Sequence, residues 1–330
     1  MREFPIFLLS LVSNLNSQLA GYLKLPGVQI GSPSFTLQDD YRGQDFFNQF
    51  DFISRSDPTH GLVDYQSKQN AIAKGLAYVQ NGVTVLAVDN KTVLPSGSNR
   101  ASIRIESKKK YDSGLFIADF EAMPVGCSTW PAWWSRSVTD YPKGGEIDVI
   151  EGVNSQTFND MTFWRKGGSC NFPPASLSGT TSSIIDQKKC SDTTTDLMSC
   201  GFRDGKANSF GTGFNKAGGG VYAHLVNDDG ISIWHFPRKS IPKDIKNKKP
   251  DPSSWGKPVA RWKSTKCDMK KHFRGHKLVI NTTLCGSWAG DPGAWARSKC
   301  PRTCPETVAD PKNFNGARWK IKYISVYKQV

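Results

Sequence analysis

Residues 146–151 read EIDVIE and place three carboxylates, Glu146, Asp148 and Glu151, within six positions. Ile147, Val149 and Ile150 are β-branched and favour an extended chain. Side chains alternate along a regular strand, so Glu146 and Asp148 share a face and Glu151 points the other way. A β-bulge, which adds one residue, would bring Glu151 back. Two readings stay open on spacing alone: a separate solvated acid, or three acids gathered in one place. The second has a definite chemistry. Retaining glycosidases use two carboxyl groups about 5–5.5 Å apart, one attacking the anomeric carbon and the other protonating the leaving oxygen. Same-face neighbours on a strand stand about 6–7 Å apart, and leaning side chains close that gap. A third carboxylate can share a proton with the nucleophile and help separate the two pKa values.

The stretch before these acids, CSTWPAWWSRSVTDYP (127–142), supplies Trp130, Trp133, Trp134 and Tyr141. Flat aromatic rings pack on the apolar C–H faces of sugars, so aromatics beside paired carboxylates read as a glycan groove. Some of these tryptophans belong to a core, and spacing does not say which.

These residues need a scaffold. Strand-like runs recur at Ala101–Ile105, Leu115–Phe120, Glu146–Ile150, Met161–Trp164, Val221–Val226, Ile231–Phe236, Leu278–Leu284 and Arg318–Val326, with Asp228-Asp229-Gly230 as a hairpin turn. No long amphipathic helical pattern is present. The expectation is an all-β fold in one domain, a β-sandwich or jelly roll. GTGFNKAGGG (211–220) lacks the Gly-Lys-Ser/Thr ending of a phosphate loop. No strand-to-helix turn is expected there, and its glycines suit tight turns before the strand at Val221. His272 and His276 have the i, i+4 spacing of zinc ligands, but HFRGH lacks the glutamate of H-E-x-x-H and carries Gly275. No metal site is expected.

The chain has 330 residues, 38% of them hydrophobic, including 10 Trp and 18 Phe, enough for a substantial core. The net charge of +14 attracts anionic polymers in general. The basic clusters at 107–112, 241–250 and 263–277 have no nucleic-acid-binding motif around them, so they read as solvated faces or as a surface suited to an anionic cell wall or membrane. The eight cysteines contain no C-x-x-C pair, and an even count favours disulfides of unreadable connectivity. A charged start at Arg2, an apolar run from Phe4 to Val12 and small residues near Leu19–Gly21 suggest a signal peptide over residues 1–20, with secretion or a cell-wall location. No run approaches the ~20 apolar residues of a membrane span. Asn90-Lys-Thr and Asn281-Thr-Thr are glycosylation sequons, of which Asn90 lies outside a strand pattern.

TWPAWW followed by GEIDVIEGVN resembles the fungal laminarinase branch of glycoside hydrolase family 16. YRGQDFFNQFDF (41–52), DPTHGLVDY (57–65), GTGFNKAGGGVYA (211–223), WHFPRKSIP (234–242) and LCGSWAGDPGAW (284–295) are similar to that family's blocks, over nearly the whole chain. The resemblance implies a secreted, monomeric endo-β-1,3(4)-glucanase with a jelly-roll domain over 21–330. It implies a bulged Glu-x-Asp-x-x-Glu strand and a retaining mechanism without cofactor or metal. Glu146 then corresponds to the nucleophile, Glu151 to the acid/base and Asp148 to the assisting carboxylate. Trp134 and Trp288 match groove tryptophans. Two positions depart from the pattern: Tyr141 stands where a second groove tryptophan is usual, and Trp164 where a histidine faces the site. Both are expected at the substrate, with Trp164 altering substrate range. A transglycosylase sharing the same intermediate, and a non-catalytic glucan-binding protein, are the alternatives.

Overall fold

The computed structural model describes residues 34–167, 170–191 and 197–330. The expected signal peptide lies outside the described residues. From Phe35 to Val330 the chain forms one compact unit.

Two large antiparallel sheets make its framework. The first runs, in order, Ser183–Ile184, Leu197–Asp204, Asn159–Lys166, Glu146–Glu151, Thr129–Ser137, His276–Leu284, Arg104–Ser107 and Phe50–Phe52. The second runs Ala260–Lys263, Gly230–Pro237, Gly220–Asn227, Gly114–Ala122, Arg318–Gln329, Val83–Ala87 and Ala77–Gln80, with Phe35–Tyr41 also paired to Arg318–Gln329. Their inner faces share one apolar core. Phe120 and Trp319 of the second sheet meet at 5.1 Å, and Trp133 of the first lies 6.2 Å from Phe120. All three rings are essentially inaccessible to water, and each such side chain contributes roughly 1.5–3 kcal/mol through burial. This is the expected jelly-roll sandwich, and the α-helices are short, four to six residues among those described.

Most expected strands extend by a few residues, as Met161–Trp164 does into Asn159–Lys166. Ala101–Ile105 is instead split at Ile103 into Arg100–Ser102 and Arg104–Ser107. Asn227 pairs with Gly230 across the two-residue Asp228–Asp229 turn. Residues Gly211–Lys216, where no strand-to-helix turn was expected, do form a short helix after the strand Leu197–Asp204. The glycines after it turn the chain into Gly220–Asn227. Gly219 has φ +78°, and a Cβ there would lie 2.0 Å from the Phe120 carbonyl oxygen, so no other residue fits.

All eight cysteines pair, as Cys127–Cys300, Cys170–Cys267, Cys190–Cys200 and Cys285–Cys304. Two of these bridges tie down the segment that carries Trp288. Its short helices, Gly286–Ala289 and Pro292–Arg297, would hold little stability alone.

Candidate active site

The acidic strand is bulged. Toward its neighbour Thr129–Ser137, Asp148 pairs with Trp134 but Ile150 pairs with Trp133. Toward Asn159–Lys166, the register jumps between Asp148↔Thr162 and Glu151↔Asp160. The reason lies in two successive apolar residues. Val149 and Ile150 are both fully buried, and a regular strand would turn one of them to water. The bulge lets both enter the core and returns Glu151 to the face of Glu146 and Asp148. All three acids line one open cleft, together with Trp130, Trp134, Arg136, Tyr141, Arg104 and Asn281.

A bulge leaves backbone groups unpaired, and here one side chain takes them. Buried Asn159 accepts from the Glu151 N–H at 3.0 Å and donates to the Val149 carbonyl at 2.8 Å. Asn159→Ala strips both partners from a buried site, and each orphaned group costs about 1–3 kcal/mol. The expected result is a loss of roughly 2–4 kcal/mol in urea unfolding, with activity falling further than the folded fraction because Glu151 is displaced. Unchanged stability and activity would show that the bulge needs no clasp.

Alternation along Thr129–Ser137 sorts the aromatics. Trp133 faces the core, while Trp130 and Trp134 face the cleft. Pro131 is tolerated here because pairing with the acidic strand stops at Ala132↔Glu151, where its missing N–H costs nothing. Trp134 donates its indole N–H to Asn281 Oδ1 at 2.7 Å, and the Arg104 guanidinium lies 5.1 Å over its ring. Trp130 donates to Glu151 Oε1 at 2.9 Å and meets Trp288 edge-on at 5.4 Å. Trp288 thus stands behind Trp130, lining an adjoining hollow with Val153, Phe158 and Arg203. Tyr141 donates its hydroxyl to Glu146 Oε2 at 3.1 Å. Trp164 is directly across the strand pair from Glu146, and its ring lies 5.7 Å from that of Tyr141 rather than among the cleft-lining residues.

Burial raises all three acids. It pushes Glu146 up to about 7, with the Tyr141 hydrogen bond, Arg104 and Arg136 opposing. It pushes Glu151 up to about 8; the Trp130 hydrogen bond opposes this, while the Glu146 and Asp160 charges add to it. Asp148, between them and only 5% exposed, is raised well above the carboxylate range by burial and then by both flanking acids. The cleft therefore holds protons near neutrality, which is the condition for one carboxyl to donate while another stays ionised.

Residues 50–327 match the model of the XgeA-like, catalytic GH16 domain. The chain belongs to glycoside hydrolase family 16. Within the family, it is 41% identical over 310 residues to an endo-1,3(4)-beta-glucanase of Arthroderma benhamiae, covering 91% of this chain and 66% of that one. It spans about half the length of several Aspergillus relatives, at 49–50%. Laminarinase 16A from Phanerochaete chrysosporium, solved with beta-glucans in donor and acceptor sites, superposes with a TM-score of 0.83 at 37% identity, covering 89% of this chain and 100% of that one. An elongating family 16 beta-1,3-glucosyltransferase superposes at 0.79, also at 37% identity, with the same coverage.

Several residues around this family 16 site carry no sequence signal that points to their place in it. Glu106 is clamped by Arg104 and twice by Arg136, each contact 3.0 Å. Burial works against its charge, but the two guanidinium groups outweigh this and hold it below the ordinary range. The clamp fixes both arginines beside the acids. His276 accepts from the Ser135 hydroxyl at 3.0 Å and donates to the Gly144 carbonyl at 2.8 Å, pinning the loop before Glu146. Asn281 carries a sequon, yet it is 8% exposed and bonded to Trp134 and Tyr65 in the cleft wall, which leaves no room for a glycan.

Proposed function

We propose that this protein hydrolyses β-1,3- or mixed β-1,3/1,4-glucan with retention of configuration. The observation that carries this is the bulge, which puts Glu146, Asp148 and Glu151 on one aromatic-walled cleft. Glu146, as carboxylate, attacks C1 while Glu151 gives its proton to the departing glycosidic oxygen, so the C1–O bond breaks as the ester forms. Glu151 then takes a proton from water, which attacks C1 and releases Glu146. The Trp130 N–H on Glu151 Oε1 leaves Oε2 to carry the travelling proton. Asp148 accepts a proton shared with Glu146 and keeps the two glutamates from ionising together. Trp134 and Tyr141 offer faces to the sugar rings and Trp288 backs Trp130; no metal is needed at any step. The names of the Arthroderma and Phanerochaete relatives support the substrate class. The four disulfides support an oxidising, extracellular location.

Glycosyl transfer to a sugar acceptor is the second reading, favoured by the likeness to the elongating glucosyltransferase. Incubation with laminarin decides between them. Hydrolysis should release new reducing ends, seen first as the β-anomer by NMR. A redistribution of chain lengths without new ends supports transfer, and binding without either overturns both.

A further inference from the structure

Tyr141 is a surface residue by accessibility, 45% exposed, yet its ring is held from two directions. The Trp164 ring lies 5.7 Å away at an interplanar angle of 30°, and the Arg136 guanidinium lies 5.6 Å from its centroid. Arg136 is itself fixed by Glu106. The phenol so held directs its hydroxyl to Glu146 Oε2. Trp164 reaches Tyr141 because Trp164 and Glu146 are directly opposed on adjacent strands, where side chains on one face stand about 4.5–5.5 Å apart at Cβ. We infer that Tyr141 and Trp164 form one unit, in which Trp164 packs the phenol in place and the phenol hydroxyl holds Glu146 as an ionised, correctly turned carboxylate. Trp164 is then a positioning residue that acts through Tyr141, and its influence on substrate range is secondary.

The chemistry fits the residue types. An attacking carboxylate needs one oxygen free for C1, and a donor on the other oxygen orients the group and favours its charged form. A phenol is a neutral donor at working pH, and here burial and the Glu146 charge push its own ionisation further up. The remaining groups around Glu146 are Asp148 and Glu151 on its own strand, Arg104 on Arg104–Ser107 and Arg136 on Thr129–Ser137. The arginines act on the whole cluster, whereas among the described residues the phenol is the group that hydrogen-bonds one chosen Glu146 oxygen. An indole at position 164 adds no charge to this balance and offers a broad flat surface to pack on. A histidine there would be smaller and would change charge with pH.

The unit rests on Glu146 being the nucleophile, so its test has one arm that needs no turnover. Hydrogen bonds to charged groups are worth about 1.5–3 kcal/mol, or one to two pH units. Tyr141→Phe should therefore move the acidic limb of kcat/KM on laminari-oligosaccharides upward by about one unit, with kcat down about tenfold. The same shift should appear without substrate, in the 13C NMR titration of labelled glutamate carboxyls, with the Glu146 signal assigned through Glu146→Gln. Trp164→His should give a similar shift in the parent protein and little additional shift in the Tyr141→Phe background, while Trp164→Phe should restore most of the parent behaviour. Equal Trp164→His shifts in both backgrounds, or an unmoved Glu146 titration in Tyr141→Phe, would overturn the unit. A Trp164 acting only in packing would lower thermal stability and leave both pH readouts in place, which also overturns it. Failure of the parent protein to turn over glucan, with the NMR shifts present, would remove the proposed function and leave the unit standing.

Discussion

Glu146→Ala is expected to eliminate laminarin hydrolysis, by on the order of 10⁴-fold or more. Covalent catalysis divides one difficult displacement into two easier ones, and removing the attacking group closes that route altogether. Neither neighbour can substitute. Asp148 is 5% exposed, with its carboxyl raised well above the ordinary range by burial and by the two flanking glutamates, and Glu151 sits past the bulge, bonded to Trp130. The alanine leaves a space on the side of the cleft from which, in the proposed mechanism, the carboxylate attacks. Sodium azide should enter it and attack C1 once, giving an α-glycosyl azide and so inverted stereochemistry. Activity in Glu146→Ala without added nucleophile would exclude this residue as the attacking group. The substitution also removes the acceptor of the Tyr141 hydroxyl, so the comparison is made at matched folded fraction.

Glu151→Gln carries the second large effect, and it separates function from stability. The amide cannot give a proton to a departing sugar oxygen, so hydrolysis of laminarin should fall about 10²–10⁴-fold, the usual range for general acid–base catalysis. An aryl laminaribioside with a good leaving group needs no protonation and should still form the glycosyl-enzyme, which then turns over slowly because the base for water is missing. Equal losses on both substrates would argue against the acid role. Stability should move the other way. Burial raises the Glu151 carboxyl to about 8 in the folded state, against an ordinary value near ~4.3 when unfolded. A raised folded pKa gives stability that is present below the unfolded value and is lost as pH climbs toward 8. Glutamine keeps the oxygen that Trp130 donates to and never ionises. The variant should therefore melt several degrees above the parent at pH 8, with the gap closing near pH 4. A variant less stable than the parent at pH 8 would show that the Glu151 charge is well solvated.

The strands that were legible in the sequence are those whose residues match their period. Leu115–Phe120 and Ile231–Phe236 bring their own β-branched and aromatic side chains and lie inside Gly114–Ala122 and Gly230–Pro237. Thr129–Ser137 supplies aromatics in the sequence but no strand-like alternation that would single it out as a central strand. It forms one, Pro131 included, because pairing with the acidic strand stops at Ala132. Arg104, Glu106 and Arg136 come from two strands and look like ordinary surface charge until the sheet sets them side by side. The Asn159 clasp was invisible for a related reason, since it serves a bulge that exists only when two strands are paired.

By itself the sequence determined the chemical inventory and its local order: three acids with an apolar doublet before the last, aromatics before them, and cysteines in even number. Those follow from covalent neighbours and from short-range backbone preference, which are written residue by residue. The tertiary structure decided which face each group takes. It settled the bulge against the solvated-acid alternative, because burying both Val149 and Ile150 is possible only against a second sheet. It set Trp133 in the core and Trp130 at Glu151, and it turned Trp164 onto Tyr141. Each of these depends on the register between strands distant in sequence, and register is chosen by the packing of the whole sandwich rather than by any residue in it.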